Sequence, residues 1–590
     1  MTYRPSIKDI RFTLDHVIGM DDLYGTAAFP DFDADLREAV LDAAGQLAAD
    51  VLAPLNRIGD LGGTRLDGDR VVVANGFLDA IKAYGDGGWY GLAADPAYGG
   101  QGLPKMLEQA CFDIFNGANM AFTLLPTLSQ GSIEAIHAHG SQAQKDLFLP
   151  KLISGEWCGT MNLTEPQAGS DLAALTARAE PAGDGTYRIT GQKIFITWGE
   201  HDGADNIIHL VLARLPDAPK GTRGISLFLC PKFLVGSDSA NGARNSVKCV
   251  GLEHKLGIHA SPTCVMAFEG AQAELIGPPN GGLAAMFTMM NAARLAVGFQ
   301  GVGLADAAWQ KAQAYAVERR QGRSLISGED YAPIYDHPDV RLMLALMKAK
   351  GEAARAICVL TAAAIDTALI SDDDAIKAKA KRREDFLVPI AKAWSTDAAV
   401  DVASLGVQVH GGMGFIEETG AAQYYRDARI APIYEGTNGI QAADLVGRKL
   451  GSDGVAAREL QTDIKSFIDN SSLSSIFADQ GEALQTAVTA FTEATDFLLA
   501  QKAAAPLDVA AGATTYLKLC GDLIGGWLLL KGALAAQALI DANQGDTAWL
   551  GDRIRIMRVY YTHVLPHAVA HLAAIKAGFG ALDGLNLTLD

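Results

Sequence analysis

The sequence predicts an α+β protein, mainly α, in which helices lie on both sides of a small β-domain. Residues 34–85 and 105–155 repeat apolar side chains at helical spacing. Residues 156–277 instead form short β-rich runs separated by Gly, Pro, Asp and Asn. Long helical patterns return at 281–320, 338–370, 385–410 and 436–450. Strands and helices do not alternate, which argues against a Rossmann fold and nicotinamide chemistry.

These changes along the chain predict four domains. A chain of 590 residues is too long for one hydrophobic core. We expect an N-terminal helical domain at 1–157, a middle β-domain at 158–278, a helical bundle at 279–455 and an additional helical domain at 456–590. Residues 451–470 begin with Gly, Ser, Asp and Gly, and we interpret them as a linker.

The charge of the chain restricts its partners. The formal net charge is -19, so we expect no binding to nucleic acid or to an anionic membrane surface. The N-terminus lacks the pattern of a signal peptide. The apolar stretch 519–540 contains Asp522 and Lys531, and we therefore predict a buried helix there and no membrane span.

The cysteines and histidines indicate neither disulfides nor a metal. Seven cysteines occur without a CxxC pair, as expected for reduced, buried thiols in the cytoplasm. His563, His567 and His571 share a helical spacing of four, but Pro566 interrupts the helix and no carboxylate or cysteine joins them. We expect a polar or inter-subunit face there, and no metal.

One carboxylate is the leading catalytic candidate. Glu435 lies between Tyr434 and the turn that begins at Gly436, in a segment with no other acid after Asp427. Desolvation of such a carboxylate disfavours its charged form and brings its pKa toward that of a useful general base. The segment therefore predicts a base, although a solvated Glu in a turn would have the same local sequence.

Four motifs occur together in one order. They are MNLTEPQAGSDL at 161–172, QKIFITWG at 192–199, ERRQGR at 318–323, and VQVHGGMGF at 407–415 leading to IYEGT at 433–437. In this set the chain resembles the acyl-CoA dehydrogenase family over residues 30–450. The resemblance implies an N-terminal helical domain, a middle β-domain and a C-terminal four-helix bundle. The extra C-terminal helical domain resembles the longer branch of that family.

The resemblance implies an FAD-dependent α,β-dehydrogenation of an acyl-CoA thioester. Glu435 would remove the α-proton while the β-hydride passes to flavin N5. Some family members carry the base on a central helix, where this chain has Ala293, and this favours Glu435. The longer branch includes enzymes that oxidise 3-methylmercaptopropionyl-CoA to methylthioacryloyl-CoA in dimethylsulfoniopropionate breakdown, which is the substrate we expect. The alternatives are a medium- or long-chain fatty acyl-CoA dehydrogenase and an acyl-CoA oxidase.

The resemblance also assigns ligand-binding residues. The residues expected to bind FAD are Leu163, Thr164, Gly169, Ser170, Phe195, Ile196, Thr197, Arg319, Gln408, Gly411, Gly412 and Thr437. Those expected to bind the substrate are Ser170, Asn291, Arg294, Tyr434 and Gly436. The chain departs from the family pattern at four FAD positions, namely Phe195 for Trp, Gln321 for Thr, Pro338 for Gln and Gly439 for Gln, and at one substrate position, Asn291 for Asp. Electron-transfer flavoprotein is the expected electron acceptor, and a homodimer the expected assembly.

Overall fold

The computed structural model describes residues 3–236, 240–470, 473 and 476–588. The chain divides into two compact units. One contains Ala39–Ala296 together with the N-terminal piece that ends at Pro5. The other contains Ser6–Glu38 and the chain from Val297 onward. The four predicted domain boundaries stay a prediction.

The N-terminal part of the chain is mostly helical. Its helices are α1 (Ile7–Phe12), α2 (Ala34–Leu47), α3 (Ala53–Gly62), α4 (Phe77–Asp86), α5 (Lys105–His139) and α6 (Gln142–Ile153). The prediction that 34–85 is wholly helical is wrong, because β1 (Arg65–Asp67) and β2 (Arg70–Val72) form a hairpin between α3 and α4. Its two-residue turn begins with Gly68, whose φ of 67° suits a hairpin turn.

Helix α5 is interrupted at one asparagine. Asn119 has φ −162° and ψ 89°, which are not helical angles. Its side chain makes up for the lost helical bonds, since Nδ2 donates to the carbonyl of Leu52 at 3.2 Å and Oδ1 accepts from the amide of Phe122 at 3.1 Å. Asn119 is buried, so these bonds satisfy polar groups that water does not reach.

The middle of the chain forms the expected β-domain. Its strands are β3 (Trp157–Asn162), β4 (Arg178–Pro181), β5 (Tyr187–Thr197), β6 (Asn206–Ala213), β7 (Ser226–Pro231), β8 (Phe233–Val235), β9 (Asn241–Arg244), β10 (Val247–Leu252) and β11 (Thr263–Ile276). Seven of them make one sheet in the order β3-β6-β7-β11-β5-β4, with β10 on β11. Only the β3–β6 pair is parallel within this sheet. Strands β6 and β7 are fully buried, so they form the centre of its core.

Strand β5 contains a bulge near its end. Ile196 pairs with Cys264, and Lys193 pairs with Met266. Between these two pairs β5 has two residues where β11 has one, so β5 carries one extra residue. Phe195 lies inside this bulge and has a φ of 59°. The bulge shifts the side-chain alternation by one residue.

The later part of the chain is mainly helical. Its helices are α7 (Gly282–Glu318), α8 (Pro338–Ile370), α9 (Asp374–Val409), α10 (Ala421–Ala428), α11 (Asn438–Asp444), α12 (Val455–Asn470), α13 (Ala478–Ala504), α14 (Pro506–Asp541), α15 (Thr547–His563) and α16 (Leu565–Ala577). Helix α12 occupies most of the segment interpreted as a linker, so that interpretation is wrong beyond Gly454. Ala457, Leu460 and Ile464 are buried on its inner face, a spacing that fits a packed amphipathic helix.

The additional C-terminal helices pack against helix α9. The indole of Trp394 on α9 donates to Oδ1 of Asp522 on α14 at 2.9 Å. His571 on α16 lies 3.4 Å from Oδ2 of the same aspartate, so a carboxylate does accompany the histidines, contrary to expectation. Within the described ranges no group of three His, Cys, Asp or Glu residues has the arrangement of a metal site.

Three described helices are long and apolar enough to cross a membrane by length and composition alone. They are α7, α8 and α14, and more than half of the most apolar window of each is buried inside the protein. All seven cysteines are buried and carry no disulfide. The α+β, mainly α, fold class predicted from the sequence is confirmed.

Candidate active site

Glu435 lies in a short loop between α10 and α11. Residues 433–438 are called the base loop here. Glu435 has a φ of 54°, the left-handed region that a residue with a side chain rarely occupies. This conformation costs about 1–2 kcal/mol, so it persists only where surrounding bonds fix it. Such strain is typical of functional sites.

Side chains from two helices fix the base loop. Lys392 on α9 donates from Nζ to the carbonyl of Gly436 at 2.9 Å and to Oδ1 of Asn438 at 2.9 Å. Gln441 on α11 donates from Nε2 to the carbonyl of Glu435 at 3.1 Å. Thr437 caps α11 by accepting from the amide of Ile440 at 3.2 Å. The backbone carbonyls of Glu435 and Gly436 therefore both accept hydrogen bonds.

Tyr434, just before Glu435, is held from helix α7. Its hydroxyl donates to Oε1 of Gln300, a fully buried residue. Burial raises the pKa of the Tyr434 phenol well above its ordinary value, and the charge of Glu435 raises it further. The hydroxyl therefore stays protonated and lies within electrostatic range of the Glu435 carboxylate.

In the β-domain the predicted flavin-binding residues come together around the end of β5. The amide of Ile194 donates to the carbonyl of Thr164 at 2.9 Å. Lys193 donates from Nζ to the carbonyl of Leu163 at 2.9 Å. The loop that follows β3 is thus attached to the strand that carries Phe195, as the order of the two motifs requires.

A buried ion pair supports this loop. Oε1 of Glu165 lies 2.8 Å from Nζ of Lys193, and both side chains are at most 2% exposed. Burial acts to raise the pKa of Glu165, but the Lys193 charge and hydrogen bonds from Lys193 and Thr176 outweigh it and lower the pKa to about 2. Burial lowers the pKa of Lys193. The carboxylate also accepts from the amide of Ala177 at 3.0 Å, so it is satisfied on both oxygens.

The side chains at this place fit a flat, largely apolar ring with a polar edge. Phe195 is 58% exposed, which is high for a Phe side chain. Ile196 is buried in the sheet, whereas Thr197 and Thr164 are half-buried with hydroxyl groups. Gly169 and Ser170 are exposed, and a Cβ added at Gly169 would meet nothing closer than 4.0 Å. This combination suits the isoalloxazine ring of FAD and a close approach of its chain.

A second group of predicted FAD-binding residues lies at the ends of α7 and α9. The ring of Tyr315 stacks on His410 with centroids 4.3 Å apart, which brings these ends together. Arg319 and Gln408 are exposed there. Gly411 and Gly412 are also exposed, and a Cβ added at either would meet nothing within 4 Å. An exposed guanidinium beside open backbone suits a phosphate-bearing ligand.

Two predicted substrate-binding residues lie on the first half of α7. Arg294 is buried at 4% exposure, and its guanidinium donates to Oδ1 of Asn291 at 3.4 Å. It also lies over the ring of Phe287 at 5.9 Å. Asn291, itself half-buried, thus orients the arginine as an uncharged acceptor. The assignment of both residues to the substrate stays a prediction, as do the other assigned roles.

Sequence reasoning missed several residues that shape these sites. Glu165 and Lys193 lie inside two of the four motifs, so the sequence could have predicted that this acid pairs with this lysine. Lys392 and Gln300 lie on helices with no motif around them, and Gln441 lies four residues after IYEGT. A lysine on an alanine-rich helix usually faces solvent, and only the fold shows that Lys392 is 0% exposed.

Comparison with known proteins identifies the family of this chain. Models of the acyl-CoA dehydrogenase N-terminal, middle and C-terminal domains match residues 37–156, 160–271 and 280–450, and an acetyl-CoA dehydrogenase C-terminal-like model matches 460–583. The chain is 46% identical to 3-methylmercaptopropionyl-CoA dehydrogenase of Ruegeria pomeroyi over 98% of both chains. It is 34% identical to a butyryl-CoA dehydrogenase of Syntrophomonas wolfei, again over 98% of both. The structure of an acyl-CoA dehydrogenase from Bacillus anthracis complexed with FAD has a TM-score of 0.74 at 21% identity, covering 99% of this chain and 93% of that one.

The fold and the matching family models define an FAD-dependent oxidoreductase that acts on acyl-CoA thioesters. The chain belongs to the acyl-CoA dehydrogenase family. The predicted enzyme class and the predicted cofactor are thereby confirmed.

Proposed function

We propose that this protein oxidises 3-methylmercaptopropionyl-CoA to methylthioacryloyl-CoA, with Glu435 as the general base. The observation that carries the proposal is the base loop, in which a glutamate has a left-handed backbone and bonded carbonyls on its C-terminal side. Similarity to the Ruegeria pomeroyi enzyme over nearly the whole chain supports the choice of substrate.

In the proposed reaction Glu435 accepts the proton from the α-carbon of the thioester. FAD, when bound, supplies the acceptor for the hydride that leaves the β-carbon. The α-proton of a thioester is weakly acidic, so a base is effective only if it is fixed within hydrogen-bond reach of that carbon. The fixed loop supports this role because it restricts the position of Glu435, and the protonated Tyr434 hydroxyl next to it adds no competing negative charge.

The proposed cofactor contacts divide between the two groups of residues. Leu163, Thr164, Gly169, Ser170, Phe195, Ile196 and Thr197 would hold the flavin ring and its chain. Arg319, Gln408, Gly411, Gly412 and Thr437 would meet the phosphates and adenosine. We assign Ser170, Asn291, Arg294, Tyr434 and Gly436 to the acyl-CoA. The four domains proposed from the sequence, at 1–157, 158–278, 279–455 and 456–590, carry these groups.

Electron-transfer flavoprotein is the proposed acceptor, and the proposed assembly is a cytoplasmic homodimer. The family resemblance supports the acceptor. A partner subunit would approach the segment after α9, where Met413, Phe415 and Ile416 present apolar side chains to solvent. Sedimentation at the mass of two chains would support the dimer.

Anaerobic bleaching of the flavin tests the reaction and the substrate together. The holoenzyme is titrated with 3-methylmercaptopropionyl-CoA, and separately with pentanoyl-CoA, in which a methylene replaces the sulfur. Butyryl-, octanoyl- and palmitoyl-CoA extend the series. We expect fastest bleaching by the thioether substrate and a loss of about 10²- to 10⁴-fold in Glu435→Gln, which removes the base.

Other outcomes decide against parts of this proposal. Faster bleaching by palmitoyl-CoA or octanoyl-CoA would assign the enzyme to fatty acids, and faster bleaching by butyryl-CoA to short chains. Rapid reoxidation of the bleached enzyme by air, with hydrogen peroxide formed, would make it an oxidase. Normal bleaching by Glu435→Gln would exclude Glu435 as the base.

A further inference from the structure

The base loop is attached to α9 through one buried ammonium. Lys392 is 0% exposed, although lysine is almost never fully buried without a specific function or partner. Two of its contacts lie on the base loop, the carbonyl of Gly436 and Oδ1 of Asn438, each at 2.9 Å. A charged donor to a neutral carbonyl makes a stronger hydrogen bond than a neutral donor.

Asn438 makes further hydrogen bonds to the same face of α9. Its Nδ2 donates to Oδ1 of Asp397 at 2.7 Å, to Oγ1 of Thr396 at 3.0 Å and to the carbonyl of Ala393 at 3.1 Å. Residues 392, 393, 396 and 397 lie on one face of α9 because of the helical repeat. A single asparagine therefore contacts one continuous surface.

The contact with Gly436 acts on the backbone conformation of the base. The Gly436 carbonyl belongs to the second peptide after Glu435, and Gln441 holds the carbonyl of Glu435 itself at 3.1 Å. With both carbonyls fixed, the backbone at Glu435 cannot relax from its φ of 54° without breaking a buried bond to a charged group. The direction of the Glu435 side chain depends on that conformation.

We propose that Lys392, acting with Asn438, is the positioning residue for the Glu435 base. The inference rests on the proposed function, since it assigns Lys392 a part in proton abstraction. It does not make Lys392 a catalytic residue, because its ammonium is occupied by the loop. Loss of the ammonium lets the loop relax, so that Glu435 stays present but spends less time in reach of the α-carbon.

The test compares three variants as FAD-loaded holoenzymes. Lys392→Met keeps the length of the side chain and removes its charge. Asn438→Ala removes one of the acceptors of the ammonium. Lys350→Met is the matched control, because Lys350 lies on neighbouring α8 and pairs with Asp401 on α9 at 2.7 Å, away from the base loop. FAD content and thermal midpoint are recorded for each variant.

The decisive reading is the rate of flavin bleaching with ordinary substrate and with substrate deuterated at the α-carbon. We expect Lys392→Met to bleach about 10- to 100-fold more slowly, since a small misplacement of a reacting group has this effect. The isotope effect at the α-carbon should increase, while KM changes less than about threefold. In Asn438→Ala the bleaching rate and the isotope effect should change in the same directions but by smaller factors. Lys350→Met should behave as wild type.

The proposal is overturned if Lys392→Met bleaches at the wild-type rate. It is also overturned if the isotope effect of this variant is unchanged and its lower bleaching rate is proportional to its lower FAD content. Should Lys392→Met fail to fold, Asn438→Ala decides, and a wild-type rate and isotope effect in that variant reject the inference. A wild-type enzyme that no acyl-CoA bleaches would instead reject the proposed function. The two failures are therefore distinguishable.

Discussion

Lys193 and Glu165 form an ion pair of 2.8 Å inside the β-domain, and the same ammonium donates to the carbonyl of Leu163. The pair therefore links the two motifs that we assign to the flavin. Removal of one partner should lower the free energy of unfolding strongly, because the other charge would stay buried without compensation.

Lys193→Met should lower the free energy of unfolding by about 3–5 kcal/mol and weaken FAD retention. The double variant Lys193→Met/Glu165→Gln should recover part of the stability, since it removes both charges. Lys248→Met is the control, because Lys248 pairs with Glu269 on the exposed side of the same sheet and should change stability by at most about 1 kcal/mol. Chemical denaturation followed by tryptophan fluorescence measures the effect, and equal values for Lys193→Met and Lys248→Met would contradict it.

Acid should destabilise the β-domain through Glu165. The pKa of this group is about 2 in the folded protein against an ordinary value of 4.5, so the unfolded chain binds more protons between these values. Stability supplied by Glu165 is complete above pH 4.5 and falls as the pH drops toward 2, by up to about 3 kcal/mol. Thermal midpoints of the wild type and of Lys193→Met/Glu165→Gln should converge over this range. A constant difference between the two would reject the assignment.

Tyr434→Phe should have a modest effect. It removes one hydrogen bond to buried Gln300, worth about 1 kcal/mol, and leaves the base in place. The rate of flavin bleaching should therefore fall by less than about tenfold. Tyr425→Phe, on the surface of α10, serves as control and should match the wild type. A loss as great as that of Glu435→Gln would show that the hydroxyl takes part in the chemistry.

Asp9→Asn should destabilise the helical unit strongly. The Asp9 carboxylate accepts from Lys348 at 2.5 Å and from Arg553 at 3.2 Å. Burial acts to raise its pKa, but these cations outweigh burial and hold the pKa well below its usual range. We expect a loss of about 3–5 kcal/mol, measured by denaturation. Asp546→Asn breaks an exposed pair with Lys8 and should cost at most about 1 kcal/mol, so equal losses would be inconsistent with this explanation.

The repeating patterns in the sequence predicted most of the fold. Helices α5, α7 and α8 and the change to strands after residue 156 follow from periodicity, because long segments contain many repeats of the signal. The hairpin at 65–72 has only three residues in each strand, too few to show alternation. The Gly-rich residues 451–454 before α12 favour a linker, whereas the buried face of α12 is defined only by its packing.

Sequence motifs indicate parts of the candidate site, but they do not indicate the contacts that support it. Glu435 and the loop after β3 stand in short segments with special composition. The bulge at Phe195 depends on the partner strand, since it is defined by how many residues of β11 lie opposite. The position of Lys392 depends on the packing of α9 against the base loop, which no local pattern encodes.

The packing of α9 against α14 limits how far this chain can be truncated from its C-terminal side. Two residues beyond Lys392, on another face of the same helix, Trp394 donates to Asp522 and packs against Gly521 of α14 so closely that an added Cβ would clash at 2.1 Å. A protein truncated before α12 would expose this indole to water and leave its N–H without the aspartate. Helix α9, which contacts the base loop through Lys392, therefore also depends on α14 for its packing, and a minimal enzyme made without the C-terminal helices should lose part of the support of that loop.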